Sequence, residues 1–284
     1  MALAAASAGS SQAAADQVAL RPRFQAGDRY AVTLSLDTKT RVDARETFRE
    51  SVQLRYAARV EVLETDSAGL PRRERHEEVE LTSVRPDGTR ELFAKGTAIE
   101  LERHGDGSVA IEFQGERVEA RIEKVVADLL AHQTEYALAA LLDPGRPVAA
   151  GERWELDPAR VVEFLRARGV GDVELDGVAS AALQDDGLAV RYRIPIREFE
   201  LPELPDGARS THSKGRLEGE VKLGSSGLHR AQAHRSELVL DIDGTLAAAG
   251  GAHAAPWRLH RSQAVDQHTE TLKDQLASGL SGES

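Results

Sequence analysis

The stretch ELVLDIDGTL, Glu237 to Leu246, carries two aspartates, Asp241 and Asp243, at the end of an apolar run. Carboxylates are residues that can act as nucleophiles, as general acids and bases, or as ligands of a metal ion. Histidine offers a different chemistry, and six of the nine, His212, His229, His234, His253, His260 and His268, lie in the last third of the chain. Their spacing builds no ready metal site. His229 and His234 would leave a strand on opposite faces, no H-x-H or H-E-x-x-H occurs, and HEE at 76–78 lacks a second histidine. Asp241, Asp243 and Gly244 also miss the calcium-loop pattern, which needs its glycine and glutamate further along. With no cysteine in the chain, disulfides, thiolate zinc sites and cysteine nucleophiles are excluded. No G-x-S-x-G, Walker loop or G-x-G-x-x-G is present, and the serines of GSSG at 224–227 read as a turn. The expectation is therefore no catalytic residue, no metal, no cofactor, and histidines scattered over the surface.

LVLDIDGTL nevertheless resembles the motif of haloacid-dehalogenase-type phosphatases, a resemblance that implies Asp241 as nucleophile and Asp243 as general acid and base. Two physical arguments oppose it. Such enzymes need a parallel doubly wound sheet downstream to bring further residues to the same strand end. The 38 residues after Leu246 include AAAGGAHAAP, a linker by composition, and offer no such sheet. In addition, a strand buried on both faces should be apolar throughout, whereas Leu238, Leu240 and Ile242 alternate with Glu237, Asp241 and Asp243. That alternation fits an antiparallel strand with one wet face.

The same period recurs along the chain and defines the elements. Tyr30, Val32, Leu34 and Leu36 share one face, opposite Thr33, Ser35 and Asp37. Val52, Leu54, Tyr56, Ala58, Val60 and Val62 alternate with Gln53, Arg55, Arg59 and Glu61, and Leu188, Val190, Tyr192, Ile194 and Ile196 alternate with Arg191, Arg193 and Arg197. Shorter runs follow at Leu217, Val221 and Leu223. Turn signals such as DSAG at 66–69, PDG at 86–88 and DDG at 185–187 punctuate them, giving hairpins and meanders. PRRERH at 71–76, followed by EEVE, reads as a solvated strand or turn. Helical spacing of Val118, Ile122, Val125, Val126, Leu129 and Leu130 predicts a helix from about 118 to 142, stopped by DPG at 143–145. A second, short helix is marked by Asp157 as N-cap, Pro158 at its first position and Gly169 as terminator. Trp154, Trp257, Tyr30 and Tyr56 are read as core anchors. The fold class is α+β and β-rich: long, mostly antiparallel curved sheets packed on one central helix plus a short second one.

At 284 residues and 41% hydrophobic the chain can bury a sizeable core. Its net charge of −11 argues against nucleic acid as partner, since binding phosphates requires a cationic face. No run approaches the roughly 20 apolar residues of a membrane span. The N-terminal MALAAASAGSSQAAADQV ends in an Ala-Ala-Ala-Asp junction resembling a signal-peptidase site but lacks a cationic start, so it reads as the remnant of an export signal or as a disordered leader. The expected organisation is a leader over 1–20, one β-rich domain over 21–272, and a disordered tail over 273–284. Within the domain, AGDRYAV from Ala26 and AGERWEL from Ala150 share Ala-Gly-acid-Arg-aromatic, which predicts two related halves, about 21–145 and 146–272.

A G-x-x-Y opening strand at Gly27–Tyr30, long alternating strands, a central amphipathic helix and then PGRPVAAGERW together resemble a group of exported, mostly uncharacterised bacterial β-rich proteins with a Pro-Val-x-x-Gly-acid-x-Trp element after their helix. More remotely, the pattern is similar to periplasmic half-barrels that carry lipoproteins or lipids under helical lids. The resemblance implies an exported protein of the periplasm or cell surface and no assigned reaction. The favoured reading is a non-enzymatic binding or scaffolding protein of the bacterial cell envelope whose partner is another envelope protein. The alternative is a carrier of an apolar, lipid-like ligand held against Val118, Ile122, Val125, Leu129, Phe164 and Leu165, and the second alternative is a metal-dependent hydrolase or phosphatase using Asp241 and Asp243.

Overall fold

The computed structural model of the protein describes residues 17–272 apart from 21–22, 45, 68, 105–108, 114–115, 118, 131–137, 139, 202–203, 205–207, 225–230 and 247–254. The N-terminal series of strands is β1 (Gln17–Val18), β2 (Arg29–Asp43), β3 (Thr47–Thr65), β4 (Pro71–Arg85), β5 (Gly88–Arg103), β6 (Val109–Phe113) and β7 (Glu116–Arg117), followed by helix α1 (Ala120–Leu130). The C-terminal series is β8 (Val148–Ala149), β9 (Arg153–Glu155), helix α2 (Pro158–Arg166), β10 (Gly171–Leu175), β11 (Ser180–Leu183), β12 (Ala189–Glu200), β13 (Ala208–Leu223), β14 (Ala231–Leu246) and β15 (Ala255–Thr271). Thirteen of these strands form one antiparallel sheet in the order β7-β6-β5-β4-β3-β2-β15-β14-β13-β12-β11-β9, with β10 on β12. The expected β-rich α+β fold is the one observed. The two series meet where β15 pairs β2 from Tyr30–Thr271 to Asp43–Arg258. The leader expected over 1–20 and the tail over 273–284 lie outside the described residues from 1 to 16 and from 273 on, while Gln17–Val18 pairs with Val148–Ala149 and Leu20 is buried.

The alternation read in the sequence maps onto two faces of this sheet. Its apolar face carries two cores. Tyr30, Val32, Leu34, Tyr56, Val60, Leu81, Ile99 and Leu101 pack with Val126, Leu129 and Leu130 of α1 in the N-terminal one. Tyr192, Ile194, Leu217, Leu238, Leu240, Ile242 and Trp257 pack with Val161, Phe164 and Leu165 of α2 in the other. Each such Leu, Ile or Val contributes about 1.5–3 kcal/mol by leaving water. The expected helix from 118 to 142 is α1 at its start. Residues 131–137 lie outside the described residues, and Leu138, Leu141 and Leu142, helical again, belong to the C-terminal core. Helix α2 begins and ends as its caps dictate: Asp157 accepts from the Ala159 N–H at 2.9 Å, and the chain leaves through Gly169 at φ 75°.

The two Ala-Gly-acid-Arg-aromatic segments adopt one local structure. Gly27 and Gly151 both take positive φ, 90° and 77°, where a side chain would strain the backbone. Gly27 N–H donates to Val62 and the Val62 N–H returns to Asp28, just as Gly151 donates to Leu183 and Leu183 returns to Glu152. The acid side chain closes each turn by accepting from the N–H three residues earlier, Gln25 for Asp28 at 2.8 Å and Ala149 for Glu152 at 2.9 Å. Tyr30 and Trp154 then enter their cores opposite Val60 and Ala181.

Candidate functional site

The polar face of the sheet is concave at its middle. One rung of paired positions runs Thr82, Arg55, Ser35, Asp266, Arg235, Glu220, Arg191 across β4, β3, β2, β15, β14, β13 and β12. Laid flat, such a row would span about 29 Å at about 4.8 Å per strand. Side chains from all seven strands nevertheless line a single trough of about 1210 Å³. Twist and coil of long strands supply that curvature. A bulge at Glu78, whose φ is 52°, adds to it by shifting the β4 register between His76 and Val79.

The floor of this groove is a charge ladder. Arg191 bonds Glu220 at 2.6 Å, Arg235 bonds Asp266 at 3.1 Å, and Arg193 beside the groove reaches Glu218 at 3.3 Å. Arg55 bonds the Gln53 amide oxygen at 2.9 Å, and the Gln53 amide donates to the Ser35 hydroxyl at 3.2 Å. These partly exposed pairs contribute about 0–1 kcal/mol each, so they order the surface more than they stabilise it. Acids outnumber arginines along the lining: Asp37, Glu80, Glu218, Glu220, Glu237 and Asp266 face Arg55, Arg191 and Arg235. Glu237 stands directly across from Glu218, a like-charge pair that a cation from outside would relieve.

Asp241 and Asp243 lie on the polar face too, outside the groove. Asp241 bonds His260 Nδ1 at 2.8 Å and Asp243 bonds Arg258 at 2.7 Å, each with its direct neighbour on β15. The Arg258 bond, working against burial, holds the Asp243 carboxyl below its ordinary range. Strand β14 is antiparallel to both neighbours and buries Leu238, Leu240 and Ile242 on its other side, so no parallel strand end gathers acids around Asp241. Among the described residues, no group of three or more His, Asp or Glu side chains is arranged to hold a metal.

Polar groups are also buried within both cores. In the N-terminal one the Tyr30 hydroxyl donates to Glu74 at 2.6 Å, Arg103 reaches the same carboxylate at 3.4 Å, and Tyr56 meets His76 Nδ1 at 2.5 Å. Burial pushes the Glu74 carboxyl up, but His76, Arg103 and Tyr30 outweigh it and hold the pKa at about 2. In the C-terminal core the Tyr192 hydroxyl meets His234 Nε2 at 2.9 Å by passing over Gly219, where a Cβ would stand 2.5 Å from the phenol. Burial, with help from the Arg168 charge, lowers the His234 pKa to about 3, and burial raises that of Tyr192 to about 12. The expectation of surface histidines therefore fails for His76 and His234, which are 0% and 1% exposed. PRRERH is likewise a strand whose Glu74 and His76 point inward rather than a wholly solvated one.

The side chains expected to hold an apolar ligand do not share one surface. Val118 lies outside the described residues. Leu129 is fully buried in the N-terminal core, with Ile122 and Val125 packed partly against it, whereas Phe164 and Leu165 belong to the C-terminal core. None of the described ones lines the groove. The sequence marks the groove's own residues only as the wet sides of strands, because nothing local says which wet sides face one another.

No protein-family model matches the sequence, and no curated protein matches it. Among solved structures, lipovitellin is 9% identical with a TM-score of 0.39 over 88% of this chain, which spans about a quarter, 26%, of the lipovitellin chain. DynF from the dynemicin biosynthesis pathway of Micromonospora chersina is 9% identical with a TM-score of 0.23, covering 96% of this chain and 94% of its own. A domain assigned to outer-membrane lipoprotein sorting in Vibrio parahaemolyticus is 9% identical with a TM-score of 0.20, covering 90% and 88%. At these values the likenesses carry no argument about function. No helix among the described residues is long and apolar enough to cross a membrane.

Proposed function

We propose that the protein is a non-enzymatic binding module of the bacterial cell envelope, and that it holds a partner protein in the groove on its polar face. The observation that carries this reading is the groove itself: a trough of about 1210 Å³ whose floor is assembled from seven strands and whose arginines are largely matched by acids already. On this reading the groove's work is recognition rather than bond-making. The surplus of acids, with Glu218 and Glu237 face to face, favours a segment bearing Lys or Arg beside polar side chains. Export is supported by the small-residue N-terminal stretch and by the G-x-x-Y and PVAAGERW elements. The same reading takes 21–145 and 146–272 as copies of one unit, which the matched turns at Gly27 and Gly151 support.

A photo-crosslinking residue at Ala264, on the exposed floor, tests the proposal against the same residue at Arg166 on the outer side of α2. In cells of the native host, Ala264 is expected to capture a discrete envelope protein that Arg166 does not, and Glu218→Arg with Glu237→Arg to abolish the capture. Equal capture from both positions, or capture that survives the charge reversal, would overturn it. The apolar-carrier reading places a lipid against Leu129, Phe164 and Leu165, where it would have to displace contacts that already fill both cores.

A further inference from the structure

The polar face changes charge along its strands. Beyond the groove, toward the paired ends of β2 and β15 at Asp43 and Arg258, the next three rungs are those of Val239, Asp241 and Asp243 on β14, each running from β13 to β3. They carry six Lys or Arg side chains, Lys39, Arg41, Arg49, Lys214, Arg216 and Arg258, against three acids, Asp43, Asp241 and Asp243. All six cations are exposed. The acids are already matched from within the zone: Asp43 pairs with Arg41 at 2.9 Å, Asp241 with His260 at 2.8 Å and Asp243 with Arg258 at 2.7 Å. Lys39 leans the other way, to Asp37 at the groove, at 3.3 Å. At one flank Arg49 stands directly across from Arg41, a like-charge pair that an anion from outside would relieve. At the other flank Lys214 and Arg216 stand two residues apart on one face of β13. Arg49, Lys214 and Arg216 thus bring positive charge that the zone's own acids do not use.

The zone measures about 19 Å across its five strands and about 13 Å along them, room for a short extended segment. One rung further, about 7 Å away, Asp37, Glu218 and Glu237 reverse the sign. That distance is inside the screening length of about 8 Å at physiological salt. A uniformly anionic surface, whether a bilayer or a nucleic-acid backbone, would therefore meet those acids as soon as it met the cations, on a chain whose net charge is −11. A polypeptide can change sign from one residue to the next, and its carboxylates offer two oxygens apiece to the planar forks of Arg49 and Arg216.

We infer that this cationic end of the polar face docks an acidic segment of a partner protein, a short run rich in Asp or Glu whose carboxylates pair with Lys214 and Arg216 at one flank and Arg49 at the other. The site is separate from the groove and opposite to it in the charge it takes.

A fluorescein-labelled decapeptide of alternating Glu and Ser, titrated with the full chain in about 20 mM NaCl and read by fluorescence anisotropy, tests this. Wild type should bind it, and raising the salt to about 200 mM should weaken binding roughly tenfold. Lys214→Glu with Arg216→Glu should weaken it about tenfold and Arg49→Glu about threefold. Arg121→Glu with Arg166→Glu, exposed on the helices of the other face, change the net charge as much as the first pair and should leave binding within about twofold. Glu218→Arg with Glu237→Arg, which should abolish capture at Ala264, should instead tighten the peptide by removing the neighbouring acids. Vesicles of phosphatidylglycerol and phosphatidylcholine should leave the chain in the supernatant. Failure of wild type to bind the peptide, an unchanged affinity in Lys214→Glu with Arg216→Glu, an equal loss in the helix variants, or vesicle capture that Lys214→Glu with Arg216→Glu abolishes overturns the inference, and none of these bears on capture at Ala264.

Discussion

Acid should loosen this protein through His234 before it reaches the carboxylates. The imidazole is 1% exposed, its Nε2 is engaged by Tyr192, and its pKa stands at about 3 against an ordinary 6.5. Between those values the unfolded chain takes up a proton that the folded one refuses, so stability falls as pH drops from 6.5 toward 3 and is level above 6.5. The slope is about 1.4 kcal/mol per pH unit, which amounts to roughly 3 kcal/mol by pH 4.5. On a domain whose whole stability is about 5–15 kcal/mol that is a large fraction. Urea unfolding measured at intervals from pH 7.5 to about 4.5 reads the effect as a falling midpoint. His234→Gln keeps a partner for the Tyr192 hydroxyl and removes the titration, so it should flatten that part of the profile while costing stability at pH 7. If wild type and His234→Gln lose stability in parallel between pH 6.5 and 4.5, the buried imidazole is not what acid attacks, and the reasoning from burial is wrong.

Other outcomes follow from the same packing. Gly219→Ala places a methyl against the Tyr192 ring and should cost about 1–3 kcal/mol in urea unfolding, more than alanine costs at an open strand position. Glu74→Gln leaves Arg103 buried beside a neutral amide and should cost about 3–5 kcal/mol at pH 7. Because the Glu74 pKa is depressed from 4.5 to about 2, its contribution is complete above pH 4.5 and fades as pH falls toward 2, so the gap between wild type and this variant should narrow over that range. Asp241→Asn and Asp243→Asn remove only partly exposed pairs and should each shift stability by less than about 1 kcal/mol, with no turnover of a phosphate ester by wild type for them to abolish.

Along its strands and at its caps, the sequence was transparent. The two-residue period of Tyr30 to Leu36, Tyr56 to Val62 and Leu238 to Ile242 placed those side chains on the apolar face because neighbouring residues of a strand point to opposite sides whatever the strand pairs with. It also placed Asp241 and Asp243 on the polar face. Asp157, Pro158 and Gly169 bounded α2 for an equally local reason, since caps act within a turn. His234 was legible in principle: it shares the phase of Ser236, Leu238 and Leu240, and that phase outranks its polarity. Glu74 and His76 were concealed by the bulge at Glu78, which resets the phase of β4, so alternation counted back from Val79 and Leu81 assigns them to the wrong side.

By itself, then, the sequence determined the faces of the regularly alternating strands β2, β3, β12 and β14, where α2 starts and stops, and that the turns at Gly27 and Gly151 are alike. Only the tertiary structure decided that β15 inserts beside β2 and makes one sheet of two series. It alone set Arg191 and Thr82 in a common trough, and passed the Tyr192 ring over Gly219 to meet His234. The reason is range. Side-chain phase and capping are settled within a few residues of backbone, whereas strand order, sheet coiling and the charge surrounding a buried group depend on segments more than a hundred residues apart, whose pairing leaves no periodic trace in either one.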